Sequence, residues 1–238
     1  CRYISKKSTE FIFLEISILS INYFLKKINL CDKINLAKNN TRTKMKESTN
    51  QRLKPVTAKI RIGWDEQSIN VERIATILQD AGVSLIAIHP RTRNQLYSGV
   101  ANYERIKDIK KLLHIPLVIS GDIFTLESAI EAQKLTNADG IMVARGAMGN
   151  PYLITQIDRY FKTGEILPRI SLNQQLEYLK EYANKLIDLK GEDVAIRELR
   201  GIAPHFLKGY PNLKKYRVKL TTEMTSLNDL LNIIDDIK

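Results

Sequence analysis

Apolar and polar residues follow two alternating patterns between residues 55 and 165. Short, nearly continuous apolar stretches predict β-strands, and each is followed by a longer stretch with apolar residues at helical spacing. The predicted strands are 55–63, 83–90, 115–122 and 139–145, and the predicted helices are 68–82, 102–113, 125–135 and 151–161. Strands that are apolar throughout are buried on both faces, which is typical of parallel sheets covered by helices. The pattern therefore predicts four consecutive βα units.

The helical pattern continues alone through the rest of the chain. Helices are predicted over 171–191, 194–209 and 226–237, with no strand between them. We therefore divide this part of the sequence into a β/α region, 54–168, and a small all-helical domain, 169–238.

Residues 1–53 do not continue either pattern. Residues 1–50 are rich in Lys, Asn and Ile and contain no Gly or Pro, which parallel β/α units need at their turns. We leave 1–53 unassigned and expect it to be poorly packed, through disorder, a shifted reading frame or a mistaken gene model. Its apolar stretch 11–25 is interrupted by Glu15 and Asn22, is too short to span a membrane and has no small-residue cleavage site. We predict a buried strand or helix there, not an anchor or signal.

Composition adds an expectation about partners and compartment. The 238 residues suffice for one large domain or two modest ones, and the net charge of +11 suggests a polyanionic partner such as nucleic acid. Cys1 and Cys31 form neither a metal-binding spacing nor a disulfide framework. We therefore expect a cytoplasmic monomer with no bound metal and no membrane contact.

Candidate chemistry lies at the carboxyl ends of the predicted strands, where parallel β/α folds bind ligands. The residues there are Lys59, Arg61, His89, Arg91, Ser120, Gly121, Asp122, Ala144, Arg145 and Gly146. Cations beside glycine turns suit a phosphate group, because glycine lets backbone N–H groups approach it closely. The set predicts a phosphate or cofactor site.

Each of these residues alone also fits a plainer role. Lys59 fits a surface lysine at a strand end, and His89 fits a hydrogen-bonded core histidine. Gly121 and Gly146 fit ordinary turns, and Asp122 fits the cap of the next helix. Only their occurrence together favours a binding site.

The stretches "KIRIGWD", "IHPRTRNQLYSG", "ISGDIFTLESA" and "MVARGAMGNP" occur in an order and spacing that resemble the tRNA-dihydrouridine synthases, with the bacterial DusB-like branch nearest. The segment "AIRELRGIAPHFLKGYPNLKKYR" resembles the start of that family's helical RNA-binding domain. The resemblance covers about residues 54–238, more than three quarters of the chain. No single motif is specific, but the set is.

The resemblance implies an FMN-dependent (β/α)₈ barrel that reduces particular uridines in tRNA with NADPH, of which 54–168 is the C-terminal half. It implies that Lys59 and His89 lie against the flavin, and that Arg91 and Arg93 contact RNA phosphates. It places two short segments around the FMN phosphate, Ser120-Gly121-Asp122 and Ala144-Arg145-Gly146, where the family has "NGD" and "GRG". Pro90 replaces the family's usual glycine, which restricts that loop.

One family feature has no counterpart in this sequence. The family's catalytic acid is a cysteine in an "N-x-G-C-P" loop about forty residues before the position of Lys59, and this chain contains no Gly-Cys-Pro. Ser20 lies near the expected place, and neither Cys1 nor Cys31 has the flanking residues. We therefore assign no catalytic residue.

A basic stretch in the helical domain predicts RNA contact. Between Arg197 and Lys219 there are seven Lys or Arg residues and a single acid, with two tyrosines interleaved. The stretch includes Arg197, Arg200 and Lys208, which we predict to bind substrate RNA. A solvated helix face is the plainer alternative.

Three functions therefore stay open at the level of sequence. The first is flavin-dependent reduction of tRNA uridines. The second is an FMN barrel that acts on a small pyrimidine, which the basic helical stretch disfavours. The third is a non-catalytic RNA-binding fragment, which the missing Gly-Cys-Pro loop favours.

Overall fold

A parallel sheet of five strands in the order β1-β2-β3-β4-β5 forms the first part of the fold. It is seen in a computed structural model that describes the backbone of residues 12–15 and all of residues 55–237. The strands are β1 (Ile12–Glu15), β2 (Val56–Arg61), β3 (Leu85–His89), β4 (Leu117–Ser120) and β5 (Gly140–Met142). Strand β1 lies within the apolar stretch 11–25, for which a strand was one of the two predicted structures. The remainder of 1–53, with Ser20, Cys1 and Cys31, lies outside the described residues.

Helices follow the strands in alternation and then continue alone. They are α1 (Val71–Asp80), α2 (Ile109–Leu112), α3 (Leu126–Thr136), α4 (Tyr152–Thr163), α5 (Leu172–Lys190), α6 (Glu192–Phe206), α7 (Lys214–Thr222) and α8 (Leu227–Asp235). The predicted fold class is confirmed: parallel strands alternate with helices, and a helical region follows. No helix in the described part of the chain is long and apolar enough to cross a membrane.

The structure differs from the predicted helices in two places. The single helix predicted over 102–113 is a short 3₁₀ helix, Tyr103–Ile106, followed by the four-residue α2. Ile106 and Ile109 are both buried at a spacing of three, which suits the tighter 3₁₀ winding. Helix α7 was not predicted, because its sequence is mostly polar and only Leu220 is buried.

The sheet unit comprises residues 1–123 and 127–143. Strands β3 and β4 are buried on both faces, since all their residues are buried. Helix α1 covers one face with an apolar stripe at helical spacing, formed by Val71, Ile74, Ala75 and Leu78. The strand ends are therefore held in place by a packed core on each side.

The helical unit comprises residues 144–238 together with 124–126. Its core joins α5 through α8 and includes the fully buried residues Leu176, Leu179, Ala183, Ala195, Leu199, Leu220 and Leu230. Contacts thus group residues 144–168 with the helices, whereas the sequence grouped them with the β/α region. The domain bounds 54–168 and 169–238 stay predictions.

Candidate functional site

Four polar side chains share one face of the sheet near its carboxyl edge. In the register of the sheet, Arg61 is opposite His89, and Lys59 is opposite Ala87. Because side chains alternate along a strand, Lys59, Arg61, His89 and Ser120 all lie on the same face. Below them this face is apolar and buried, through the cluster Leu85, Ala87, Val118 and Met142. The strand ends therefore form a polar rim on an apolar floor.

His89 is neutral at physiological pH in this setting. Its side chain is buried, and this desolvation lowers its pKa from 6.5 to about 4, reinforced by the positive charges of Arg61, Lys59 and Arg91 and opposed by Asp122. Nη1 of Arg91 lies 3.5 Å from Nε2 of the imidazole. An arginine can only donate, so this contact, though long, favours the tautomer with the proton on Nδ1.

Arg91 is held in a buried bidentate ion pair with Asp122. Its Nη1 and Nη2 donate to Oδ1 and Oδ2 of Asp122 at 2.9 and 2.7 Å, and its side chain is only 2% exposed. Further guanidinium N–H groups donate to the carbonyls of Ser98 and Gly99 at 3.2 and 2.7 Å. The backbone N–H of Ala101 also donates to Asp122, at 2.8 Å. This geometry disfavours the predicted contact of Arg91 with RNA phosphate and gives Arg91 and Asp122 a role in fixing the rim.

Gly121 allows the imidazole of His89 to lie directly over the backbone. Its φ of +115° is in the region that favours glycine, and a Cβ there would lie 2.5 Å from Cδ2 of His89. The hydroxyl of Tyr103 donates to the carbonyl of Gly121 at 2.5 Å. Burial and the charge of Asp122 raise the pKa of Tyr103, so the hydroxyl stays protonated and remains a donor. The sequence analysis missed Tyr103, because nothing near "ANYERI" marks it as a partner of Gly121.

The loop after β3 is braced by Arg61. Its Nη1 donates to the carbonyls of Thr92 and Leu96 at 2.7 and 3.0 Å. Arg93 is partly exposed, and its backbone N–H donates to the carbonyl of Gly63 at 2.9 Å. The predicted contact of Arg93 with RNA stays a prediction.

The segment Ala144-Arg145-Gly146 belongs to the helical unit and begins two residues after β5. Residues Arg145–Ala147 form a 3₁₀ turn in which Gly146 is buried and Arg145 is exposed. The guanidinium of Arg145 lies 5.5 Å from the ring centroid of Phe124. This contact orients the charged group of a residue that the sequence assigns to the FMN phosphate.

The basic residues of the helical unit are not equivalent. Arg197 and Lys208 are exposed, whereas Arg200 is partly buried and donates from Nε to the carbonyl of Met224 at 2.8 Å. Arg200 thus ties α6 to the turn between α7 and α8, and its predicted RNA contact stays untested. Tyr216 lies beneath Lys215, whose Nζ is 4.7 Å from the ring centroid.

Among the residues that the structure describes, no cluster of three His, Cys, Asp or Glu side chains could hold a metal ion.

Comparison with known proteins gives a consistent family. A family model described as dihydrouridine synthase (Dus) matches residues 30–237. A probable tRNA-dihydrouridine synthase of Rickettsia bellii is 40% identical over 177 residues, which is 74% of this chain and 54% of that protein. The tRNA-dihydrouridine synthase B of Shewanella oneidensis is 41% identical over 146 residues, which is 61% of this chain and 45% of that protein. The chain spans about half the length of the curated relatives that it matches.

Proposed function

This chain belongs to the dihydrouridine synthase family, and we propose that it takes part in the reduction of specific uridines to dihydrouridine in tRNA, with FMN as flavin and NADPH as hydride source. The observation that carries the proposal is the polar rim at the carboxyl edge of the sheet, where Lys59, Arg61 and His89 share one face. Parallel β/α folds bind their ligands at this edge.

The residues of the rim fit an anionic flavin. Lys59, Arg61 and Arg91 all lower the pKa of His89, which indicates a positive potential at the strand ends. Gly121 carries no side chain at the point where His89 lies over the backbone, so the imidazole keeps its place at the rim. Bound FMN would supply hydride transfer, which no side chain of this protein can perform.

The protein's own residues would bind and orient. Lys59 would hold the flavin ring by charge, and the neutral His89 would donate through Nδ1–H or accept through Nε2 at the same place. Ser120, Gly121 and Asp122 would form one side of the phosphate site. Arg145 and Gly146 of the helical unit offer a guanidinium and a backbone N–H to a phosphate group. Asp122 would act through Arg91, since its carboxylate is bound to that guanidinium.

RNA would bind through the exposed cations of the helical unit. Arg197 and Lys208 would contact phosphates, and Tyr216 offers an aromatic ring beside Lys215. Phosphate contacts of this kind give affinity that falls with salt, so tRNA binding by this chain should weaken steeply as ionic strength rises.

The function is tested by incubating the protein with FMN, NADPH and tRNA transcribed without modification. Nucleoside mass spectrometry should detect dihydrouridine in the digested tRNA. A sample that binds both FMN and tRNA yet forms no dihydrouridine would contradict the reductase. It would favour a second candidate, RNA binding without catalysis, which is supported by the lack of a Gly-Cys-Pro segment in this sequence.

A further inference from the structure

The end of helix α6 lies against the loop that carries Arg145 and Gly146. Gly149 has a φ of +68°, and a Cβ there would lie 2.4 Å from the carbonyl carbon of His205 and 2.6 Å from the backbone nitrogen of Phe206. Only glycine permits so close an approach between this loop and the helix backbone. Both segments belong to the helical unit.

A buried glutamine makes a second contact with the same residue. Gln175, in the first turns of α5, is 3% exposed, and its Nε2 donates to the carbonyl of Gly149. Its Oε1 is buried without a hydrogen-bond partner among the residues that the structure describes. A buried amide with one unsatisfied oxygen costs stability compared with an apolar side chain of the same size. The unsatisfied oxygen makes glutamine an unfavourable core residue at this position. Its Nε2, however, supplies the loop with a hydrogen-bond donor.

Within the loop there are three short-range backbone bonds, and the guanidinium of Arg145 lies 5.5 Å from the ring centroid of Phe124. Ala147 donates to the carbonyl of Ala144 at 3.0 Å, Met148 to that of Arg145 at 3.1 Å, and Asn150 to that of Ala147 at 3.2 Å. These bonds shape the turn but do not fix it relative to the helices. The contacts of Gly149 with Gln175 and with α6 do so.

We infer that Gln175 is a positioning residue for the anion-binding loop 144–149, which it holds against helix α6 through the carbonyl of Gly149. The inference gives helix α5 a part in shaping an anion-binding loop within the helical unit. It rests on the proposed function for the identity of the anion, the phosphate of FMN. The position of the loop itself can be measured without any ligand.

The first test compares Gln175→Met with Gln156→Met. Methionine keeps the length of the side chain and removes the donor. Gln156 is a matched control, because its Nε2 donates to the carbonyl of Leu167 at 2.9 Å elsewhere in the helical unit. Amide hydrogen exchange at Ala147, Met148 and Asn150 should accelerate about five-fold in Gln175→Met, the factor that corresponds to one net hydrogen bond. It should be unchanged in Gln156→Met, and unchanged exchange in both variants would overturn the inference.

Affinity for two flavins separates positioning from a general structural effect. In Gln175→Met the dissociation constant of FMN should rise about three- to ten-fold, whereas that of riboflavin, which lacks the phosphate, should not change. An equal loss for both flavins, or no loss for either, would overturn the inference. If the unaltered chain binds neither flavin, the proposed cofactor is wrong, and hydrogen exchange alone decides the position of the loop.

A measurement on the unaltered chain covers the case in which Gln175→Met does not fold. Under increasing denaturant, the amides of residues 147–150 should lose their protection together with those of α5 and α6. Loss of protection together with β4 and β5 instead would mean that the sheet positions the loop, which contradicts the inference.

Discussion

The substitution Asp122→Asn tests whether the buried ion pair with Arg91 holds the rim together. Asparagine keeps the size of the side chain and tolerates the positive φ of 51° at this position. It removes the carboxylate that pairs with the guanidinium of Arg91, whose side chain is 2% exposed. The change therefore removes the charge and one of the two acceptor oxygens.

The magnitude follows from the burial of the pair. Breaking a buried ion pair by removing one partner costs about 3 to 5 kcal/mol, because the other charge is left uncompensated. Asparagine retains one acceptor oxygen, and the side chain of Asp122 is 22% exposed to water. We therefore expect the free energy of unfolding of the sheet unit to fall by about 2 to 3 kcal/mol.

Urea unfolding followed by tryptophan fluorescence measures this loss. Trp64 is the single tryptophan of the chain and lies in the sheet unit, so its emission reports that unit. The control is Glu66→Gln, which removes the charge from an exposed pair with Arg105 at 3.3 Å and should cost about 0 to 1 kcal/mol. If Asp122→Asn costs no more than Glu66→Gln, the ion pair does not hold the rim as argued.

Three further predictions concern the rim and the helical unit. Gly121→Ala should lower the free energy of unfolding in urea by about 2 to 4 kcal/mol, since it adds backbone strain and a clash with His89. The control Gly164→Ala, at φ +77° with open space around it, should lower it by only about 1 kcal/mol. Equal losses in the two variants would contradict the clash. The pKa of His89 in the folded protein is about 4, below its ordinary 6.5, so the stability that His89 contributes should be present above pH 6.5 and lost as pH falls towards 4. His89→Asn should remove this part of the pH dependence of stability. An NMR titration of His89 with a midpoint at or above 6.5 would refute this prediction. Arg169→Lys should lower the thermal unfolding temperature of the helical unit by about 2 to 8 °C. The guanidinium of Arg169 stacks 3.9 Å from the ring centroid of Tyr210 and also donates to two backbone carbonyls. An unchanged unfolding temperature would show that the stacking contributes nothing.

Much of the sheet could be predicted from sequence, because strands such as β3 and β4 are buried on both faces and are therefore apolar almost throughout. The strand at 117–120 is one example, since all its residues are buried. Helix α7 could not be predicted in this way. Its sequence is largely polar and Leu220 is its one buried residue, while Tyr216 packs against the core, so tertiary packing and not periodicity defines it.

The candidate site was predictable in its residue types but not in its partnerships. The strand ends supplied Lys59, His89 and Gly121 through a general rule of parallel folds. The pairing of Arg91 with Asp122 joins residues 31 positions apart, and no pattern along the chain encodes that contact. Burial and the ion pair give Arg91 a role in holding the rim, and its predicted contact with RNA stays a prediction.

The central claim is that the carboxyl edge of the sheet forms a flavin site, and titration of FMN with the purified chain tests it most directly. The visible absorbance of FMN should shift in a saturable way. The variant Lys59→Met should bind about ten-fold more weakly, the factor for loss of one charged contact. Lys107→Met, which removes an exposed lysine of the same unit, should bind normally. A folded chain that leaves the FMN spectrum unchanged, or a Lys59→Met variant that binds as well as the unaltered chain, would contradict the account.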